Sequence, residues 1–319
     1  MNKTKQLLVL ITVLTSVLVP GLARSSSALS AFAGSHDLEG ANVFHAQSSL
    51  WIEPVDIESR NLFYGIGGAD GAPNPAHRFT FIAGKDPLTG ERMALDEAGR
   101  TWLLITGPEA RAETAASRLA WAVGYHVDQS YFLPSLHVGG GGGDLFAVRL
   151  KRKDDGYTRV GTWNWTSNPF SQTRELQGLM ALMALFSNWK LPAENNMIVT
   201  RGDITRFYVT AMKTSFGKSA KLESNSSSAN ATHYSDQKFV DKVKNGQVVF
   251  HMKGGHASVV RGVSVENAVW LGSLLARLSD AQIADAFRAA GFAPVEIALF
   301  RLTVRRRINE LRNLNSMPN

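Results

Sequence analysis

The chain has 319 residues, 44% hydrophobic and 19% charged, with 28 Gly, 11 Pro and no Cys. These proportions describe a folded globular chain and exclude disordered, collagenous and low-complexity classes; the length suits one large or two modest domains. Absence of cysteine removes disulfides, thiolate zinc sites, iron–sulfur clusters and cysteine nucleophiles. The formal net charge is +7, but the basic residues are scattered apart from Lys151-Arg152-Lys153 and Arg305-Arg306-Arg307. Each cluster has acids beside it (Asp154 and Asp155; Glu310), so both read as solvated faces, and no nucleic-acid partner is expected.

At the N-terminus Lys3 and Lys5 precede an apolar run from Leu7 to Val19, followed by Pro20, Gly21, Leu22 and Ala23. A basic start, a short apolar stretch and small residues before the cut form a secretory signal peptide over residues 1–23. Ala31-Phe32-Ala33 offers a second cleavage site, and a retained anchor is the rival reading. Export to the periplasm or the medium is expected, with no stable membrane insertion after cleavage. Residues 24–57 read as a mobile leader.

Residues 58–160 have the composition of strands and turns. Arg78 to Ile82 alternates, Asp86 to Gly90 and Asp96 to Arg100 are turns, and Thr101 to Thr106 is a strand. Pro108 to Val123 is a helix, with Ala116, Leu119, Ala120 and Val123 at helical spacing and Gly124 as its stop. Gly139 to Gly143 lacks the lysine and helix start of a phosphate loop, so it reads as a turn before the strand Leu145 to Leu150. Residues 161–319 are mostly helical. Thr173 to Trp189 is a core helix. Met197 to Thr200 and Arg206 to Met212 form a hairpin, and Lys221 to Thr232 is a surface loop. Helices follow over Val265 to Leu278, from Ser279 to Gly291 with a capping box, and over Pro294 to Leu314 with its arginines on the wet side. The fold class is α+β, a β-rich part with one helix followed by a helical part.

The chemistry-bearing segments are Asn188-Trp189-Lys190-Leu191-Pro192-Ala193-Glu194-Asn195-Asn196 and Val209-Thr210-Ala211-Met212-Lys213-Thr214-Ser215-Phe216-Gly217. Core helix, loop ending in Asn, hairpin and glycine loop follow in the order of the catalytic and metal-binding loops of protein kinases. Leu191 and Asn195 keep the spacing. Lys190 stands at the catalytic Asp position, Ala211 at the metal-binding Asp and Ile105 at the phosphate-binding Lys, while the helix acid Glu113 is present.

Over roughly residues 58–314 the chain also resembles a family of exported bacterial proteins of uncharacterised activity. The resemblance lies in Asn61-Leu62-Phe63-Tyr64-Gly65, in Gly107 to Leu119, in Trp121-Ala122-Val123-Gly124-Tyr125 and in Asn168-Pro169-Phe170. It continues in Thr173 to Leu179 and Asp285 to Gly291. It implies a two-lobed, kinase-like fold of the atypical kind, in which relatives carry Lys, Asp and Asp at positions 105, 190 and 211. With all three replaced, the resemblance implies a pseudokinase-like binding or scaffold protein without a catalytic residue or a metal. A vestigial cleft of Glu113, Lys190, Asn195, Asn196 and Lys213 would hold a nucleotide without metal, another anion or a protein partner. In that cleft Lys190 or Lys213 supplies the positive charge of the missing cation.

Two other readings stand beside it. One is an active phosphoryl or nucleotidyl transferase using Glu113, Glu194, Asn195 or Asp203. The other is a structural envelope protein with a closed cleft. Glu113 also suits a buried ion pair with Arg118 or Arg174. His251 and His256 have a spacing unsuited to a metal site and read as solvent-facing. Trp163, Trp165 and Trp189 read as core, and Gly65, Gly67 and Gly68 as turn glycines.

Overall fold

A computed structural model of the chain describes residues 47–319 except 86–90, 154–155, 193–195, 211, 219–226, 254–255 and 317–319. The signal peptide, the turn at Asp86 to Gly90, Glu194, Asn195 and Ala211 lie outside the described residues. From Gln47 onward the chain is built into the fold. Leu50 and Ile57 are buried, and Trp51 packs edge-on against Trp270 at 5.4 Å. Leu50, Trp51 and Ile57, expected within a mobile leader, are packed instead, because these apolar side chains find partners far along the sequence.

The strands β2 (Phe79–Lys85), β3 (Arg92–Asp96), β4 (Thr101–Thr106), β5 (Ser130–Gly139) and β6 (Gly143–Arg152) close into a barrel in the order β2-β3-β4-β6-β5. The closing contact is a short parallel pairing, Phe79 with Val138 and Thr80 with Gly139. Phe79, Trp102, Leu104, Tyr131, Val138, Val148 and Leu150 form the barrel's own apolar cluster. Strand side chains alternate between faces, so Leu103, Ile105, Ser130, Phe132, Arg149 and Lys151 lie on the opposite face. The five-glycine run turns β5 into β6, with Gly140, Gly141 and Gly143 at positive φ, the backbone region that glycine enters without a steric penalty.

Between β4 and β5 comes α1 (Pro108–Ala122), as the sequence predicts. Its Ala-rich sequence lets it approach the barrel closely, and most of its residues are buried. A second sheet has the order β1-β9-β8-β7, from β1 (Gln47–Ser49), β7 (Thr158–Thr162), β8 (Met197–Arg201) and β9 (Ile204–Tyr208). The predicted hairpin is the β8–β9 pair. The position 160/161, where the sequence composition shifts, falls inside β7, and all the described residues belong to one compact unit.

The helical part contains α2 (Arg174–Leu185), α3 (Ala231–Asp236), α4 (Val265–Ala276), α5 (Asp280–Arg288) and α6 (Pro294–Arg312), with a β10 (Val240–Lys244)–β11 (Gln247–Phe250) hairpin. Thr173, Ser264 and Ser279 cap their helices by accepting the backbone N–H three residues on, and Gln282 completes the box at Ser279. Phe216, Phe287 and Phe300 knit these helices together, the last two stacked at 4.5 Å. Trp163, Trp165 and Trp189 are core residues.

Both basic clusters depart from the solvated faces expected of them. Arg307 is 0% exposed, and Lys151 is buried too. Arg307 donates to the carbonyl of Leu185 and the hydroxyl of Ser187, both at 2.7 Å, and to the carbonyl of Tyr234 at 3.0 Å. Sequence adjacency hides this because consecutive helix residues point in different directions; Arg305 and Arg306 remain near the surface.

Candidate functional site

The site grows from the register of the barrel. On β6, Arg149 stands opposite Ile105 of β4 and Phe132 of β5, and Lys151 opposite Leu103 and Ser130. Directly paired residues share a face, so β6 sends two cations toward α1. Arg149 Nη1 lies 3.1 Å from Glu113 Oε2, with both side chains buried. Arg149 Nε donates to Ser130 Oγ at 3.2 Å, and Arg118 of α1 donates to the Ser130 carbonyl at 2.7 Å. Lys151 Nζ lies 3.0 Å from Asp128 Oδ2, and Arg159 of β7 approaches Asp128 Oδ1 at 3.7 Å. The network thus ties α1, the barrel and the second sheet into one buried set of charges.

Two carboxylates face four cations there. Burial pushes the Glu113 carboxyl above its ordinary range, against the opposing pull of Arg149, Lys151 and Lys213. Burial acts on Asp128 in the same sense, but Lys151 and Arg159 outweigh it and hold that carboxyl below its ordinary range. Arg118, buried without a carboxylate, is lowered to about 10 by burial and by the neighbouring Arg149. Each acid already faces a cation, and among the described residues no three His, Asp or Glu side chains gather as a metal site.

The partner of Glu113 is Arg149, and neither of the two arginines expected from the sequence. Arg118 binds the Ser130 carbonyl, and Arg174 pairs with Glu175 and stacks on Trp270. Ile105 is half-buried on the network's face. Lys190 and Lys213 are exposed, and the charge of Lys213 acts on Glu113. Their loops are joined, since the Lys190 N–H donates to Thr214 Oγ1 at 3.2 Å. Asn196 is fully buried; its carbonyl accepts the Trp163 N–H at 3.3 Å, and its side-chain amide has no hydrogen-bond partner among the described residues. Asp203 is exposed in the β8–β9 turn, away from any role as a buried acid. His251 is half-buried and bonded to Asp241 at 2.9 Å, and His256 is half-buried as well, so neither is the solvent-facing residue expected.

Arg149, Lys151, Asp128, Ser130 and Arg159 are the members that sequence reasoning missed. A signal exists in Val148-Arg149-Leu150-Lys151, where charge alternates with apolar residues at strand period, and in Asp128-Gln129-Ser130 at the start of β5.

No protein-family model and no curated protein matches the chain. Among solved structures it is similar to the Helicobacter pylori proinflammatory kinase CtkA, at 8% identity, covering 73% of this chain and 90% of that one with a TM-score of 0.39. That likeness is too slight to carry a fold or an activity.

Proposed function

We propose that this chain is an exported, kinase-like protein that binds without transferring phosphoryl groups. The observation that carries the reading is the Glu113–Arg149 pair. In a kinase, a lysine on the third strand joins the acid of the following helix and reaches the nucleotide phosphates. Here the third barrel strand is β4 and carries Ile105, while Glu113 on the following helix is neutralised from β6 by Arg149, itself 1% exposed. A cation so enclosed holds the helix in place and is withheld from a phosphate. Lys190 stands where the base carboxylate belongs, and Ala211 offers no metal ligand. The ligand of such a protein is an anion or a protein partner, taken up without metal.

The same burial supports the reading of a closed cleft whose outer surface makes the contacts, and nucleotide titration separates the two. The test of the main reading is ADP release by the purified protein with ATP or GTP and Mg²⁺ or Mn²⁺. Background release is expected. Metal-dependent release that Glu113→Gln abolishes contradicts the proposal. Export is tested by N-terminal sequencing of secreted protein, which is expected to begin at Arg24.

A further inference from the structure

The first strand is held to the fold by few contacts. β1 has three residues, and among the described residues its one strand partner is β9, which it meets in parallel with Ser49 opposite Arg206. A side-chain tie to the interior comes from Ser49, whose Oγ lies 2.9 Å from Nε2 of His126. His126 precedes β5 and is 6% exposed, and its ring stacks on Tyr208 of β9 at 6.1 Å. Its carbonyl accepts the Val209 N–H at 2.9 Å, so its backbone is fixed to the end of β9 by a bond that does not involve β1.

The groups around the ring decide which protonation state can be enclosed. From β9 come the cation of Arg206 and the phenol of Tyr208, and from β1 the Ser49 hydroxyl. On its own segment, Asp128 is engaged by Lys151 at 3.0 Å and by Arg159 at 3.7 Å, while the Tyr125 hydroxyl donates to the Glu175 carbonyl. An imidazolium here is buried beside Arg206 without a carboxylate of its own, which desolvation and like charge both oppose. The enclosed ring is therefore neutral, and a proton reaches it at ordinary cost only where Nε2 is open to water. Ser49 is the group lying against that nitrogen, so moving β1 aside uncovers it.

We propose that β1 is an acid-released latch, in which proton uptake by His126 and departure of Gln47–Ser49 from β9 are one event while the barrel stays folded. The movement ends at Leu50, which is buried, and Trp51, whose indole donates to the Val123 carbonyl at 2.6 Å. Detachment bares the edge of β9 at Ile204–Arg206, a row of backbone groups suited to pairing with another strand. Each pH unit below the ordinary histidine value of about 6.5 multiplies the open population about tenfold. The latch makes no use of the cleft loops, so its outcome is independent of the kinase-like reading.

Hydrogen–deuterium exchange of the protein at about pH 7.5, 6 and 5, each rate divided by the intrinsic rate at that pH, tests it. The opening constant of the peptide holding Gln47–Ser49 is expected to rise about tenfold between pH 6 and 5, while β4 keeps its protection. His126→Gln, which puts a neutral amide in the place of the ring, is expected to remove the rise. Ser49→Ala is expected to open the strand further at every pH and to keep the pH slope. If His126→Gln does not fold, the slope in Ser49→Ala carries the test. A flat profile in the wild type or in Ser49→Ala, an equal loss of protection in β4, or an unchanged slope in folded His126→Gln overturns the proposal.

Discussion

Arg149 faces Ile105 across the β4–β6 ladder and holds Glu113 of α1 at 3.1 Å. The cation that binds helix to sheet therefore comes from β6, one strand over from the third barrel strand, and is sealed from solvent. Removing one partner of a buried ion pair leaves the other uncompensated, which costs about 3–5 kcal/mol, whereas replacing both by apolar groups is often neutral. Arg149→Met is expected to lose stability of that size, and Glu113→Leu with Arg149→Met to recover most of it. Urea denaturation of the two singles and the double checks the coupling.

Arg307 and Arg305 lie two residues apart and predict opposite outcomes. Arg307→Met removes the donors to the Tyr234 carbonyl and Ser187 hydroxyl inside the core, for a loss of about 2–4 kcal/mol. Arg305 pairs with Asp280 near the surface at 2.8 Å, and Arg305→Ala is expected to cost under about 1 kcal/mol. Denaturant midpoints of the two variants compare them directly.

His126 predicts acid lability. Burial, reinforced by the positive charge of Arg206, lowers its pKa from 6.5 to about 3, and its Nε2 lies 2.9 Å from Ser49 Oγ. The folded value is below the unfolded one, so the contribution of the neutral ring is full above the unfolded pKa. It is lost as pH falls toward the folded value, by about 1.4 kcal/mol per pH unit. Stability measured between about pH 6.5 and 5 is expected to decline, and His126→Gln to flatten that decline.

Gly65 is at φ +73° with its α-carbon against the buried guanidinium of Arg118. A methyl group there meets both backbone strain and overlap, so Gly65→Ala is expected to cost more than about 2 kcal/mol. Gly99, at φ +76° in open space, isolates the backbone effect, and Gly99→Ala is expected to cost about 1 kcal/mol. Thermal midpoints of the two variants separate the steric part from the backbone part.

What was legible in the sequence is what short-range signals encode. Pro108 and Gly124 bracket α1, Ser279 and Gln282 start α5, and Gly202 marks the β8–β9 turn. Asn245-Gly246, both at positive φ between β10 and β11, is a local hairpin signal that went unread. The site was legible only at Glu113. Its partner comes from a strand beyond the next element, and nothing local to Arg149 or Lys151 distinguishes a buried charge from a solvated one. The same holds for β1, which pairs with β9 across most of the fold. Burial of a charge is a property of tertiary neighbours, and those are set by the barrel's closure rather than by composition.

The most direct test of the central claim is the thermal midpoint of the purified protein with ATP, GTP or ADP, each with and without Mg²⁺ or Mn²⁺. A ligand that binds only the native state stabilises it by about 2.7 kcal/mol at a hundredfold excess over Kd. No metal-dependent shift is expected with any nucleotide. A midpoint that rises with nucleotide only when metal is present would contradict the reading of a protein that takes up its ligand without metal.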